Sequence, residues 1–365
     1  MSETTIPAWQ VPAPPERLER VSRLYTYAVV GATGAVGREV LAILAERGHP
    51  ISHVRAIASE RSAGSSMTYG DSEVPVASLT SDSFAGIDIA IFGASAEVAR
   101  EYAPAAVRAG AIVIDNSSAF RMDPRVPLVI PEVNGKELDG TPSLIANPNC
   151  STILLLVALD PLRRAFGLER IHVATYQAVS GAGLAAMEEL REQTGAMLAG
   201  RDATPRVFKE PCAFNVFSHD STVNEADGVN GEERKIIEES AKIWNERIPL
   251  TPTCIRVPVL RAHSQAVSVT LREPASVDEI REVLRAAPGL RVIDDRAAND
   301  FPTPRKATGG DQVLVGRIRH DPANPPDAFG RSRHLCLWLS GDQLRKGAAL
   351  NAVQIAERVI SRSSG

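Results

Sequence analysis

Apolar positions along the chain follow two regimes that meet near residue 150. In the first, short β-branched runs alternate with helical stretches. Tyr25 to Val30 reads as a strand, and after the glycines at 31, 34 and 37 the residues Val40, Leu41 and Leu44 fall on one helical face. His53 to Ala58 reads as a second strand. Ile87 to Phe92 and Ala111 to Ile114 are short apolar runs bounded by Gly, Asp or Ser, with helical periodicity from Glu97 to Arg108 between them. β and α units alternating at this length predict an α/β domain with a parallel, doubly wound sheet over residues 24–150. Beyond Cys150 the strict alternation is lost. Long amphipathic stretches (Ala182 to Ala199, Glu232 to Glu246) mix with strand patterns at Ala266 to Leu271, Val313 to Arg319 and His334 to Leu339, which predicts an α+β second domain over 151–341. Arg345 to Ile360 has the periodicity of one closing helix within 342–365.

Composition narrows the picture without redrawing it. A chain of 365 residues, 44% apolar and 23% charged, has room for two packed domains. A net charge of −4 gives no polyanion-binding surface, so nucleic acid is not an expected partner. Cys150, Cys212, Cys254 and Cys336 lie far apart, with no C-x-x-C pair and no His cluster; neither a disulfide framework nor a metal site is expected. Residues 1–23 lack an apolar signal core, carry four prolines and read as a flexible N-terminal extension with Trp9 available as an anchor. The longest apolar run, Ile153 to Leu159, is too short to span a bilayer. A cytoplasmic protein with a free Cys150 thiol is the expectation.

A strand, a glycine-rich turn and a helix place a pyrophosphate on free backbone N–H groups at the helix N-terminus. Here the turn is Gly31-Ala32-Thr33-Gly34-Ala35-Val36-Gly37, spaced G-x-x-G-x-x-G rather than G-x-G-x-x-G. A turn that only reverses the chain has the same appearance, but a second strand about 20 residues on favours a dinucleotide. At the end of that second strand stands Ser59-Glu60-Arg61-Ser62. Glu60 would suit the ribose hydroxyls of NAD, whereas Arg61 between two hydroxyls suits the 2′-phosphate of NADP, the expected cofactor. A solvated polar loop fits the spacing equally.

The most informative stretch is Asn147-Pro148-Asn149-Cys150-Ser151-Thr152. Asn-Pro ends a strand, and Ser-Thr before an apolar run opens a helix. Cys150 therefore sits at a helix N-terminus, where the dipole is expected to lower the thiol pKa and exposed N–H groups can hold an oxyanion. The other three cysteines read as small buried hydrophobes.

These motifs, with Asp115 to Arg121, Pro131 to Asn134, Tyr176 to Gly183, Arg256 to Val259, His263-Ser264 and Arg345 to Asn351, closely resemble the aspartate-semialdehyde dehydrogenases. The match runs in order from about Tyr25 to Glu357. The resemblance implies a Rossmann-type NADP-binding domain, a substrate-binding and dimerisation domain, and a C-terminal helix returning to the first. It implies a homodimer that reduces L-4-aspartyl phosphate with NADPH in the biosynthesis of Lys, Met and Thr. Cys150 then corresponds to the nucleophile, Gln177 to a residue orienting the acyl group, and His263 to the general acid/base. Arg256 corresponds to the clamp on the substrate carboxylate, Glu232 to a contact for the amino group, and Arg121 with Lys235 to the phosphate cradle; Asn149 adjoins the substrate. Gly31, Thr33, Gly34, Ala35, Val36, Gly37, Ser59, Arg61, Ser62, Gly181 and Gln343 correspond to cofactor contacts. The chain departs from the usual pattern at Gln343, where Asn is expected, and at Ser65-Ser66, where a Lys is frequent.

N-acetyl-glutamyl-phosphate reductase shares this chemistry and fold. The Asn149 to Thr152 motif together with Glu232 argues against it, since an acetylated substrate has no ammonium. An inactive dinucleotide-binding regulator on the same fold is opposed by the intact Cys150, Gln177, Arg256 and His263.

Overall fold

The computed structural model of the chain describes residues 23–49, 51–140 and 142–363. The tail reading, with Trp9, falls on residues 1–22 and so lies outside the described residues.

β1 (Tyr25–Val30) is the centre of a seven-stranded sheet with β2 (Ile51–Ala58), β3 (Ser66–Tyr69), β4 (Ser72–Ser78), β5 (Ile89–Phe92), β6 (Ile112–Asp115) and β7 (Leu144–Ala146), in the order β3-β4-β2-β1-β5-β6-β7. Every pairing but one is parallel; β3 returns antiparallel on β4. That edge hairpin is absent from the sequence expectation because its residues are largely polar and exposed, so no apolar alternation announces it. The central strands are buried on both faces, as β1 and β5 require when helices cover both sides. Helix α1 (Ala35–Glu46) packs Val40, Leu41 and Leu44 on one face, and α2 (Ala96–Arg108) packs Ala99, Ala103 and Ala106 on the other.

From β7 the chain passes into α3 (Cys150–Phe166) and then β8 (Leu168–Gln177), α4 (Leu184–Leu198), β9 (Phe217–Ser218), α5 (Gly231–Trp244), β10 (Leu250–Arg256) and β11 (His263–Ala275). α6 (Val277–Ala286), β12 (Leu290–Val292), β13 (Val313–His320) and β14 (Ser332–Gly341) complete a second, mixed sheet in the order β12-β13-β14-β11-β8-β10-β9. α3, α5 and α6 contribute Leu154, Leu155, Ile236 and Ile280 to one core with Val267 and Leu337 of this sheet.

The last expected helix is two elements. Arg345–Ala349 forms a wider π-type turn before α7 (Leu350–Ser363), whose Leu350, Val353 and Ile355 join the α1 side of the first sheet. Such π turns collect at functional sites. This one brings Gly347 against the nucleophile turn, where an added Cβ would lie 3.0 Å from Cys150 Cβ. No described helix is long and apolar enough to cross a membrane.

Candidate active site

The site forms where β7 gives way to α3 and where β8 and β10 end beside the start of β11. Asn149 caps α3 by accepting the Ser151 and Thr152 N–H groups at 3.0 and 3.2 Å. The Cys150 N–H, one residue into the helix, has no partner among the described residues and is available to an oxyanion. Cys150 is partly exposed, whereas Cys212, Cys254 and Cys336 are buried.

Glu232, near the start of α5, is the hub. Its Oε1 accepts from Asn149 Nδ2 at 2.9 Å and from Gln177 Nε2 at 3.0 Å, and its Oε2 from Lys235 Nζ at 3.0 Å. The residue is 4% exposed. Burial opposes its charge, but Lys235, His219 and the Asn149 amide outweigh burial and hold the carboxyl down at about 2. This anion acts on the neighbouring thiol. Burial and then the Glu232 charge push Cys150 up to about 11, against the pull of Arg121 and Lys235. The expected lowering of the thiol pKa by the helix dipole is thus corrected: desolvation by the dense protein around Sγ outweighs it, even though the residue keeps an opening to solvent.

Arg121 is buried and ordered by three acceptors: Asn147 O at 2.9 Å, Asn116 O at 2.7 Å and Glu239 Oε1 at 3.0 Å. Glu239 Oε2 also accepts the Asn149 N–H at 2.6 Å, so one buried carboxylate ties the guanidinium to the turn preceding Cys150. Sequence reasoning missed Glu239. Its only signal is that it lies seven residues after Glu232 on α5, hence on the same face.

Arg256 and His263 stand on β10 and β11, in register with Gln177 and Gly341 respectively. The Ala178 N–H donates to His263 Nδ1 at 3.0 Å, which puts the imidazole proton on Nε2. Burial and the Arg256 charge push this histidine down to about 3. Both His263 Nε2 and Arg256 Nε are buried without a hydrogen-bond partner. They flank Gly181, where an added Cβ would lie 3.4 Å from His263 Nε2 and 3.5 Å from Arg256 NH1. Unpaired buried donors are costly and mark a place where a ligand acceptor fits. Arg256 also meets His219 and Asp220, two further residues that sequence reasoning missed.

Residues of the expected cofactor set divide into three groups. No side chain caps α1, and the Ala35, Val36 and Gly37 N–H groups have no partner among the described residues, which fits an anion at that terminus. Gly31 has φ +78°, and a Cβ there would meet Gly93 O at 2.8 Å; at Gly37 it would meet Gly31 O at 2.2 Å, so the turn admits only glycine at both ends. Thr33 and Gly34 complete it. Ser59, Arg61 and Ser62 lie in and beside a single turn of 3-10 helix after β2, with Arg61 exposed and unpaired among the described residues. Gly181 and Gln343 are instead beside His263. Gln343 accepts the Ala262 N–H at 2.9 Å and donates to Ser180 Oγ, while the φ of Ala262 is +74°. A separate cleft is lined by other residues, among them Arg281, which pairs with Asp278 and Asp294, and Lys306, which pairs with Asp300. No group of metal-ligating side chains occurs among the described residues.

Two family models match the chain: "Semialdehyde dehydrogenase, NAD binding domain" over residues 26–141 and "Semialdehyde dehydrogenase, dimerisation domain" over 159–346. An aspartate-semialdehyde dehydrogenase of Synechocystis is 45% identical over 336 residues, covering 92% of this chain and 97% of that protein. One of Aquifex aeolicus is 46% identical over 342 residues, with 92% and 98% covered. A crystal structure of aspartate semialdehyde dehydrogenase II from Vibrio cholerae, complexed with ASA, superposes with a TM-score of 0.86 at 40% identity, covering 93% of this chain and 98% of that one.

Proposed function

The chain belongs to the aspartate-semialdehyde dehydrogenase family, and from that premise we propose that it reduces L-4-aspartyl phosphate to L-aspartate 4-semialdehyde and phosphate, with NADPH, through a thioester on Cys150. The observation that carries this reading is the convergence, beside one partly exposed thiol, of a buried carboxylate hub and two buried donors lacking acceptors. An aminoacyl phosphate brings an ammonium, a carboxylate and a developing oxyanion to match them.

Cys150 Sγ, as thiolate, attacks the acyl carbon; the C–S bond forms and the C–O bond to phosphate breaks, with phosphate taking the electron pair. Arg121 keeps two N–H donors beyond its three protein acceptors. With Lys235 these hold the departing phosphate. The substrate ammonium pairs with Glu232, weakening the negative field that keeps Cys150 protonated. Arg256 holds the α-carboxylate. The amides of residues 35–37 would hold the pyrophosphate of NADPH and Arg61 its 2′-phosphate, and the cofactor so held would supply hydride for the thioester carbon. The Cys150 N–H and His263 Nε2–H then share the charge on oxygen until the C–S bond breaks and returns the thiolate.

The tautomer supports a donor's part for His263. A neutral ring that already accepts at Nδ1 can donate from Nε2 but cannot take a proton there. It therefore acts as an oxyanion donor, and the solution proton of the overall reaction ends on phosphate. This refines the general acid/base role implied by the family resemblance. Leu184, Leu198, Phe214 and Val216 expose apolar surface on the second domain, which supports association of two copies there.

Phosphate-dependent reduction of NADP by aspartate semialdehyde tests the reading. Turnover is expected with that substrate and not with N-acetyl-glutamate semialdehyde, whose acetyl group would meet Glu232. The opposite preference would overturn it.

A further inference from the structure

Arg256 is almost fully buried, with Phe208 beneath its guanidinium at 5.1 Å. Three of its five N–H bonds have protein acceptors. NH1 gives one hydrogen to Ala178 O at 3.1 Å. NH2 gives one to His219 Nε2 at 2.9 Å and the other to Asp220 Oδ1 at 2.7 Å. Nε has no partner. A guanidinium offers a carboxylate two bidentate forks, Nε with NH2 and NH1 with NH2. Both forks use an NH2 hydrogen, and both NH2 hydrogens are taken.

Bidentate capture of a carboxylate at Arg256 therefore requires one NH2 partner to leave. His219 is the more enclosed of the two, with a side chain 11% exposed against 32% for Asp220. His219 is also fixed from its other side. Its Nδ1 accepts the Ser221 N–H at 3.2 Å and lies 3.2 Å from Ser221 Oγ. Asp220 is the exchangeable partner, and it presents the same chemical group as the incoming ligand.

Building on the proposed function, we propose that Asp220 is a specificity-determining residue: a resident carboxylate that occupies the Arg256 subsite in the free enzyme and is displaced by the α-carboxylate of the substrate. Two consequences follow from exchanging like for like. Arg256 is never left as an uncompensated buried charge. A monodentate anion or a neutral group gains little by displacing Asp220, so the subsite discriminates in favour of a planar carboxylate. The segment from His219 to Ser221 also links this subsite to the ammonium site, because Ser221 Oγ accepts the Glu232 N–H at 3.0 Å.

The exchange makes part of the intrinsic affinity unavailable, as any competing closed state does. Asp220→Asn, which keeps an acceptor but removes the charge, should lower KM for aspartate semialdehyde by about three- to tenfold, with the change in KM rather than kcat. An unchanged or raised KM, in a wild-type background that turns the substrate over, would overturn the displacement and leave Asp220 as a support for Arg256. A wild-type enzyme inactive on aspartate semialdehyde would overturn the parent reading and this one with it. A crystal structure of the Cys150→Ala protein with aspartate semialdehyde bound gives an answer that does not depend on the Asn variant folding. The expected result is a ligand carboxylate forked on Arg256 NH2 with Asp220 swung away; Asp220 still on NH2 beside the bound ligand would refute the proposal.

Discussion

The thiol of Cys150 and the carboxyl of Glu232 are set against each other, and both gain from the arrival of substrate. With Cys150 near 11, its thiolate fraction should rise about tenfold per pH unit across pH 7–10, and so should its alkylation by iodoacetamide in the free enzyme. Glu232→Gln removes the anion that raises it. Alkylation at pH 8 should become faster, while KM for aspartate semialdehyde should rise by a factor on the order of 10 to 100, matching about 1.5–3 kcal/mol for a hydrogen bond to a charged group. Slower alkylation in the variant would show that Glu232 does not control the thiol. For His263, held at about 3 and already neutral at higher pH, loss of the ring by His263→Ala should cost about 10²–10³ in kcat, as for other oxyanion donors. The pH dependence of kcat/KM between 5 and 8 should keep its shape; disappearance of a limb near pH 6–7 would assign that limb to His263. Cys150 was legible because a polar turn before an apolar run is a local signal. Glu239, His219 and Asp220 were not, since each acts only on a residue distant in sequence: Arg121 is 118 positions from Glu239, and Arg256 is 36 from Asp220.

At the scale of elements, α3 and α5 carry the site between them, and Glu239 joins the two. Glu239→Ala would leave the buried Arg121 with two carbonyl acceptors and no anionic partner and would free the Asn149 N–H, at a cost of about 3–5 kcal/mol in unfolding free energy. Chemical denaturation monitored by tryptophan fluorescence checks this; a loss below 1 kcal/mol would mean that water replaces the carboxylate at no cost. Elements with a strong apolar period were readable within two or three residues, including β1, β2 and β13. Where period and burial part company, the reading failed. β3 and β4 are an exposed polar hairpin, and β8 was not identified: its buried residues alternate from Ile171 through Val173 and Thr175 to Gln177, but Leu168 is out of step and two of the four are polar. The π turn before α7 could not be seen, because Arg345 to Ala349 continue the helical spacing while the hydrogen bonds from the Gly347, Ala349 and Leu350 N–H groups reach back five residues rather than four.

Across the whole molecule, the dinucleotide turn and the thiol follow strands of the first sheet while Gln177, Arg256 and His263 stand on the second, and partly buried ion pairs link the two. Arg345 meets Glu39 and Asp311, and Arg261 meets Glu39 and Asp342, so α1 is tied to the segment leading into His263. The cofactor expectation belongs at this scale. Arg61→Ala should weaken NADPH by about 1.5–3 kcal/mol and NADH much less, since only NADPH carries the 2′-phosphate. Equal losses in a fluorescence titration would assign the selectivity elsewhere. The most direct test of the central claim is the mass of the acid-quenched enzyme after incubation with aspartate semialdehyde and NADP in the absence of phosphate. Hydride removal should then strand one aspartyl group on Cys150, located by peptide mapping, released by added phosphate and absent from Cys150→Ser. An unmodified Cys150 in an enzyme that still turns over when phosphate is supplied, or an acyl group on another residue, would contradict it.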